Sequence, residues 1–301
     1  YTLDDIWEIR HALEANAKKP GTYVPGRRAG DELQIVSVVN FKGGSGKTTT
    51  SAHLAQRLAL KGYRVLAIDL DPQASLSALH GIQPELDLME GGTLYDAVRY
   101  DEPVPISDVI RKTYIRGLDL IPGNLELMEF EHETPAAIQR GGARAFFARV
   151  RDALDSVEAD YDVVVIDCPP ALSMLTVNAL AAARGVIIPM QCEYYALEGL
   201  TALLQTIDRV TAGVNPGLTV EGIVRTMYDP RNSLTRDVSE QLSEHFADEL
   251  YRTVIPRNVR LAEAPSYGLA ALHYDKDSSG AKAYLALAGE LVRRERERVA
   301  D

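Results

Sequence analysis

Short apolar runs alternate with longer stretches of helical period through most of this chain, and the alternation predicts its architecture. Residues 35–39, 65–68, 118–121, 163–166, 186–188 and 218–224 are runs rich in Val, Ile and Leu. Most read apolar on both faces, as a central parallel strand covered by helices on each side must. Between them, residues 49–61, 143–156, 197–211 and 235–246 read as helices, with Gly62 placed to end the first. The expected fold is α/β: a doubly wound, mostly parallel twisted sheet with helices on both faces. No internal repeat or low-complexity tract interrupts it.

The ends read differently. Residues 2–17 suit an amphipathic helix, with Thr2 as cap, Asp4 and Asp5 in the first turn, and Leu3, Ile6, Trp7 and Leu13 near one face. Pro20, Pro25, Arg27 and Arg28 mark residues 21–30 as a linker. Residues 279–299 read as a last helix that begins rich in Ala and Leu and ends in the solvated mixed-charge run Arg294-Glu295-Arg296-Glu297-Arg298. The expected division is a helix and linker over 1–30 and one α/β domain over 31–301.

Composition narrows the setting. At 301 residues and 46% hydrophobic the chain can bury a full core. No run of about 18 apolar residues exists to span a bilayer. The start, from Tyr1, lacks a basic-then-apolar signal pattern and looks trimmed. Cys168 and Cys192 make neither a disulfide framework nor a metal site. The expected location is cytoplasmic. A net charge of −11 argues against a protein that coats DNA with its whole surface, but not against a local basic patch.

The chemistry begins at Val38-Val39-Asn40, where an apolar run meets Phe41-Lys42-Gly43-Gly44-Ser45-Gly46-Lys47-Thr48-Thr49 and then a helix. Glycines allow a tight turn that aims successive N–H groups at phosphate oxygens, and the helix presents its positive end to the same anion. Lys47 is placed to reach the β- and γ-phosphates, and the Thr48 hydroxyl to ligate Mg²⁺. Phe41 occupies the position where the usual pattern has its first glycine, so the loop carries a lysine at each end. Two acidic blocks follow. Asp69 and Asp71 end the second apolar run, two apart and so on one side while a strand lasts. Both are expected to point toward the phosphates, although Asp71 could instead cap the helix that starts near Ala74. Asp167 ends the run Val163-Val164-Val165-Ile166, as a buried strand delivers a carboxylate to an Mg²⁺ shell. Pro169-Pro170 gives that strand a rigid exit, and Cys168 reads as a small buried filler.

Lys42-Gly-Gly-x-Gly-Lys-Thr-Thr resembles the deviant phosphate loop of the ParA/MinD superfamily of P-loop NTPases. Asp69-Leu70-Asp71-Pro72-Gln73, Thr93-Leu94-Tyr95-Asp96-Ala97, Leu175–Leu180 after Pro169-Pro170, and the stretch from Pro256 to Gly268 also look like ParA signatures. The resemblance covers residues 33 to about 293. It implies a partitioning ATPase that dimerises on Mg-ATP, binds DNA non-specifically, hydrolyses slowly and is stimulated by a ParB-type centromere-binding protein. It implies that residues Lys42 to Thr49 and Asn258 contact ATP, with Lys42 reaching across the dimer, and that Asp71 positions the attacking water. Arg231, Arg236, Arg257 and Arg260 are the candidate DNA contacts; each could equally be a surface or ion-pair arginine. Residues 1–86 look like plasmid-partition members, with Tyr1 to Ala17 as the last helix of a helix-turn-helix region. Residues from about 145 look like the chromosomal, Soj-like branch.

Three other readings compete. A membrane-binding MinD-like end would need bulky apolar residues facing basic ones, whereas residues 293–301 alternate Arg and Glu. An iron–sulfur reductase would need cysteines in glycine-rich loops, which neither cysteine has. A scaffold that binds ATP without hydrolysing it stays open at this level.

Overall fold

The apolar runs become strands because each of their faces is claimed by a different set of helices. On the strand Val65–Asp69, Leu66 and Ile68 join the core on one side of the sheet, and Val65 and Ala67 join the core on the other. The computed structural model describes residues 3–27, 30–88, 91–141 and 144–300. Its strands are β1 Gln34–Val38, β2 Val65–Asp69, β3 Arg111–Lys112, β4 Leu118–Ile121, β5 Val163–Asp167, β6 Gly185–Gln191, β7 Thr219–Tyr228 and β8 Leu250–Pro256. They form one sheet in the order β3-β4-β2-β5-β1-β6-β7-β8. β3 runs antiparallel to β4, and every other neighbouring pair is parallel.

The longer helices are α1 Leu3–Glu14, α2 Lys47–Lys61, α3 Leu127–Gly141, α4 Met174–Ala182, α5 Ala196–Gly213, α6 Ser233–His245 and α7 Ser279–Ala300. Phe130, Leu175, Leu200, Leu203 and Leu242 bring α3 to α6 onto one face of the sheet. Leu54 of α2 meets Tyr284, Leu287 and Leu291 of α7 on the opposite face. Burying Leu54 and Leu58 stabilises α2 by roughly 2 kcal/mol each. That anchoring matters, because α2 has no side-chain cap and no acidic residue in its first turn. Its first N–H groups are left for another partner.

Six expected strands are present. Sequence periodicity missed β8, an edge strand whose Arg252 is exposed between buried Tyr251 and Ile255, and β3, which is two residues long. It also missed α3 and α4. The helix expected over 143–156 is broken into Arg144–Phe147, Arg149–Leu154 and a 3₁₀ turn, Asp155–Asp160; Ala143 lies outside the described residues. α1 exists, but its expected apolar face is a correction: Ile6 and Leu13 are exposed. Polar contacts hold it instead. Arg10 donates to the Leu60 carbonyl at 2.7 Å, and Glu14 accepts from the N–H groups of Tyr23 and Val24. Trp7 lies under the Arg116 guanidinium, 5.6 Å from the ring centre. Thr2 and Arg28, and the side chains of Leu3 and Asp4 and of residues 295–300, lie outside the described residues. Among the described residues, no helix is long and apolar enough to cross a membrane.

Candidate active site

The carboxyl ends of β1, β2 and β5 lie side by side, so three separate sequence blocks converge there. The loop after β1 turns through Gly44 at φ 73° and Gly46 at φ 88°, conformations that side chains with a Cβ resist. α2 starts directly after it with its N–H groups uncapped, which is how a chain prepares a seat for an anion. Lys47 is buried, and its ammonium donates to the Lys42 carbonyl at 3.1 Å. Burial lowers the Lys47 pKa, while the carboxyls of Asp167 and then Asp71 pull it back up, so both lie within electrostatic reach of its ammonium.

Asp167 is fully buried at the end of β5. One oxygen, Oδ1, accepts from the Ser51 hydroxyl at 2.8 Å, and Thr48 also hydrogen-bonds this carboxyl. The other, Oδ2, has no partner. Burial and then the neighbouring Asp69 push the Asp167 carboxyl up to about 8. The Ser45 hydroxyl is likewise buried without a partner. An orphaned carboxylate oxygen beside a threonine hydroxyl fits a divalent cation, and the orphaned hydroxyl under the glycine turn fits a phosphate oxygen. Among the described residues no three His, Cys, Asp or Glu side chains gather to hold a metal. A cation beside Asp167 therefore depends on water and phosphate oxygens for most of its shell, the pattern typical of Mg²⁺.

Asp69 corrects the sequence reading. Its carboxylate accepts from both the N–H and the hydroxyl of Ser77 at 2.7 Å, which ties it to the short helix Ser75–Leu79. Only Asp71 of the pair is left facing Lys47. Asp71 Oδ1 also accepts from the Gln73 N–H at 3.0 Å, so it closes the turn as well. A hollow of about 400 Å³ among Leu33, Ile35, Leu154 and Asn215 lies at the opposite, amino ends of the strands, away from this chemistry.

Residues 33–220 match the family model for an AAA domain. The chain is 46% identical over 270 residues to the chromosome partitioning protein ParA of Caulobacter vibrioides, covering 89% of this chain and 97% of that one. The chain belongs to the ParA family. It is 44% identical to the sporulation initiation inhibitor protein Soj of Bacillus subtilis, over 86% of this chain and 98% of that protein. Among solved structures, cobyrinic acid a,c-diamide synthase from Mycobacterium smegmatis with bound ADP and magnesium superposes with a TM-score of 0.72. It is 33% identical and covers 88% of this chain and 96% of that one. The ParA-type chain is thus a partitioning ATPase, and its cofactors are ATP and Mg²⁺.

Other residues singled out in the sequence sit around this centre in different ways. Lys42 ion-pairs with Glu193, both half exposed, next to the exposed rings of Tyr194 and Tyr195. Asn258 caps the short helix Val259–Glu263: its carbonyl oxygen accepts from the N–H groups of Arg260 and Leu261, and its amide donates to Ser279 at 2.8 Å. Arg231 pairs with Asp229, Arg260 with Glu263 and Asp275, and Arg236 donates to the Pro230 carbonyl. Arg257 lies near enough to Asp229 to lower its pKa after Arg231 does. The two cysteines are buried and their thiols are pushed up, first by burial, as expected of fillers.

Sequence reasoning missed Ser51, Gln191, Glu193 and Thr226. Gln191 donates to the Gly44 carbonyl and Thr226 to the Ser45 carbonyl, each at 2.8 Å. Gln191 and Thr226, single polar residues at strand ends, carry no local signal. Only the sheet order brings them to the loop.

Proposed function

We propose that this ParA-type ATPase dimerises on Mg-ATP, binds duplex DNA without sequence preference, and hydrolyses slowly until a ParB-type centromere-binding protein accelerates it. The observation that carries the reading is the pair of lysines on one glycine turn. Lys47 is buried at the seat while Lys42 is half exposed and ion-paired with Glu193. In this reading the amides of residues 43–49 hold the phosphates, Lys47 sits on the β- and γ-oxygens, and Thr48 and Asp167 hold Mg²⁺. When bound, Mg²⁺ draws charge off the terminal phosphates. Asp71 orients water for attack. Lys42 leaves Glu193 for the phosphates of a second copy, and the exposed Tyr194, Tyr195 and Leu172 supply an apolar rim for that contact. Arg231, Arg236, Arg257 and Arg260 then meet DNA phosphates from both copies. Residues 1–30 are read as an appendage to one ATPase domain over 31–301. The protein would work in the cytoplasm on the nucleoid, moving plasmid or chromosome cargo.

The test is ATP turnover alone, with duplex DNA, and with DNA plus a candidate centromere-binding partner. Slow basal turnover that rises when both are present supports the proposal. Turnover indifferent to both would overturn the partition role while leaving the ATPase in place.

A further inference from the structure

Strand β7 does not run regularly past the phosphate loop. Arg225 pairs with Val254 and Tyr228 with Pro256, so three steps along β7 match two along β8. The extra residue falls at Thr226–Met227. Met227 takes a φ of 47°, in the left-handed region that side chains rarely adopt. Bulges of this kind gather beside active sites.

Just before Met227 stands Thr226, which pairs in regular register with Gln191 of β6 and is buried, with its hydroxyl on the Ser45 carbonyl. The turn lies directly on it: a Cβ added to Gly46 would meet three Thr226 atoms at 3.6–3.9 Å. From the end of the neighbouring β6, Gln191 donates to the Gly44 carbonyl and also touches the Met227 sulfur. Two consecutive carbonyls of the loop are therefore pinned by the ends of β6 and β7.

Peptide geometry gives this a consequence. In a trans peptide the C=O of one residue and the N–H of the next point in opposite directions. Pinning the Gly44 carbonyl fixes the aim of the Ser45 N–H, and pinning the Ser45 carbonyl fixes the aim of the Gly46 N–H. We propose that Thr226 and Gln191, partners in register at the ends of β7 and β6, are positioning residues for the nucleotide. They hold the outer face of the glycine turn so that its amides stay directed at the phosphates. Neither side chain touches the nucleotide.

Thr226→Val keeps the shape and removes the hydroxyl, and Thr226→Ser restores it. Binding of Mg-ADP and Mg-ATP is measured by titration calorimetry well below the melting temperature, alongside steady-state turnover. Thr226→Val should weaken both nucleotides about tenfold, the scale of a lost hydrogen bond to a buried carbonyl. The loss should fall on KM rather than kcat, and Thr226→Ser should return to within about twofold of wild type. Gln191→Leu, at a partly exposed strand end, should weaken both nucleotides about three- to fivefold and serves if Thr226→Val fails to fold. Nucleotide affinity within about twofold of wild type in Thr226→Val would overturn the proposal; if that variant fails to fold, the same result in Gln191→Leu would do so. So would a Thr226→Ser no better than Thr226→Val, or a loss confined to kcat.

Discussion

Replacing Lys42 by alanine tests the assignment on which the dimer depends. In the resting chain Lys42 ion-pairs with Glu193, and the two side chains are 49% and 51% exposed. An exposed pair of this kind contributes about 0.2–1 kcal/mol, so losing it should leave the stability of the monomer almost unchanged. The same figure bounds the cost of releasing Lys42 toward a second copy: 1 kcal/mol is about a fivefold change in an equilibrium. A charge-assisted contact on a partner's phosphate is worth about 1.5–3 kcal/mol, and two-fold symmetry makes two of them. Lys42→Ala should therefore weaken ATP-dependent dimerisation by about 10² to 10⁴-fold. It should bind ATP as a monomer and lose turnover and ATP-dependent DNA binding together. Glu193→Gln should instead tighten dimerisation, by no more than about 25-fold, since a pair is released in each copy. Light scattering after size exclusion, with ATP or a slowly hydrolysed analogue across a concentration series, reads both. If Lys42→Ala dimerised within about fivefold of wild type and turned over normally, Lys42 would be an ordinary loop lysine. A Glu193→Gln chain that dimerised more weakly would show that Glu193 assists the dimer rather than holding Lys42 back.

Asp71→Ala should keep Mg-ATP affinity within a few-fold and lose about 10² or more in turnover, because Lys47, Thr48 and Asp167 remain while water positioning goes. Near wild-type turnover, measured by phosphate release, would remove Asp71 from that role. Arg231→Glu and Arg260→Glu should each weaken binding to unrelated duplexes alike and lower the salt slope by about one, with ATP affinity unchanged. Both mutants binding as wild type would place the patch elsewhere. Asp162 tests the pH dependence of stability. Burial raises its pKa, but hydrogen bonds from the Arg64 side chain, then from the N–H groups of Arg64 and Arg27, outweigh that and hold it below 3.8. Its contribution is present above about pH 4 and is lost as pH falls through the depressed value. Asp162→Asn should cost about 2 kcal/mol at pH 7 and flatten that acid limb in urea unfolding, and an unchanged limb would refute it.

How much of this site was legible in the sequence follows from what encodes each part. The glycine turn and its lysines carry their own conformation and charge, so they could be read locally. Asp167 was readable because a four-residue apolar run can end only where a buried strand does. Asp69 was misread because period two applies only inside a strand. β2 ends at Asp69, the chain turns at Pro72 and Gln73, and Ser77 captures the first carboxylate. Thr226 and Gln191 lie 181 and 147 residues from the carbonyls they hold. No window along the chain contains both partners, and the choice among polar residues at strand ends is made by sheet order. α1 failed for the opposite reason. Its pattern was amphipathic, but an apolar stripe says that a helix can be covered, not that anything covers it.

The charge of the chain bears on why nucleotide should control DNA binding. With a net charge of −11 and Arg231 and Arg260 already paired with acids, two of the four candidate arginines in one copy are neutralised before they meet a phosphate backbone. At Arg231 and Arg260 each contact must first displace a carboxylate, which in exposed pairs costs about 1 kcal/mol or less. A monomer should therefore sit near the non-specific floor of about 10⁻⁴ M or weaker at physiological salt. A two-fold dimer presents the same patch twice on a rigid frame. The second patch then engages at the millimolar effective concentration of a tethered site, so affinity rises by about 10–10² without any new kind of contact. Weak, locally neutralised arginines are thus what a switch requires. A strongly basic patch would hold DNA as a monomer and leave dimerisation on ATP nothing to decide.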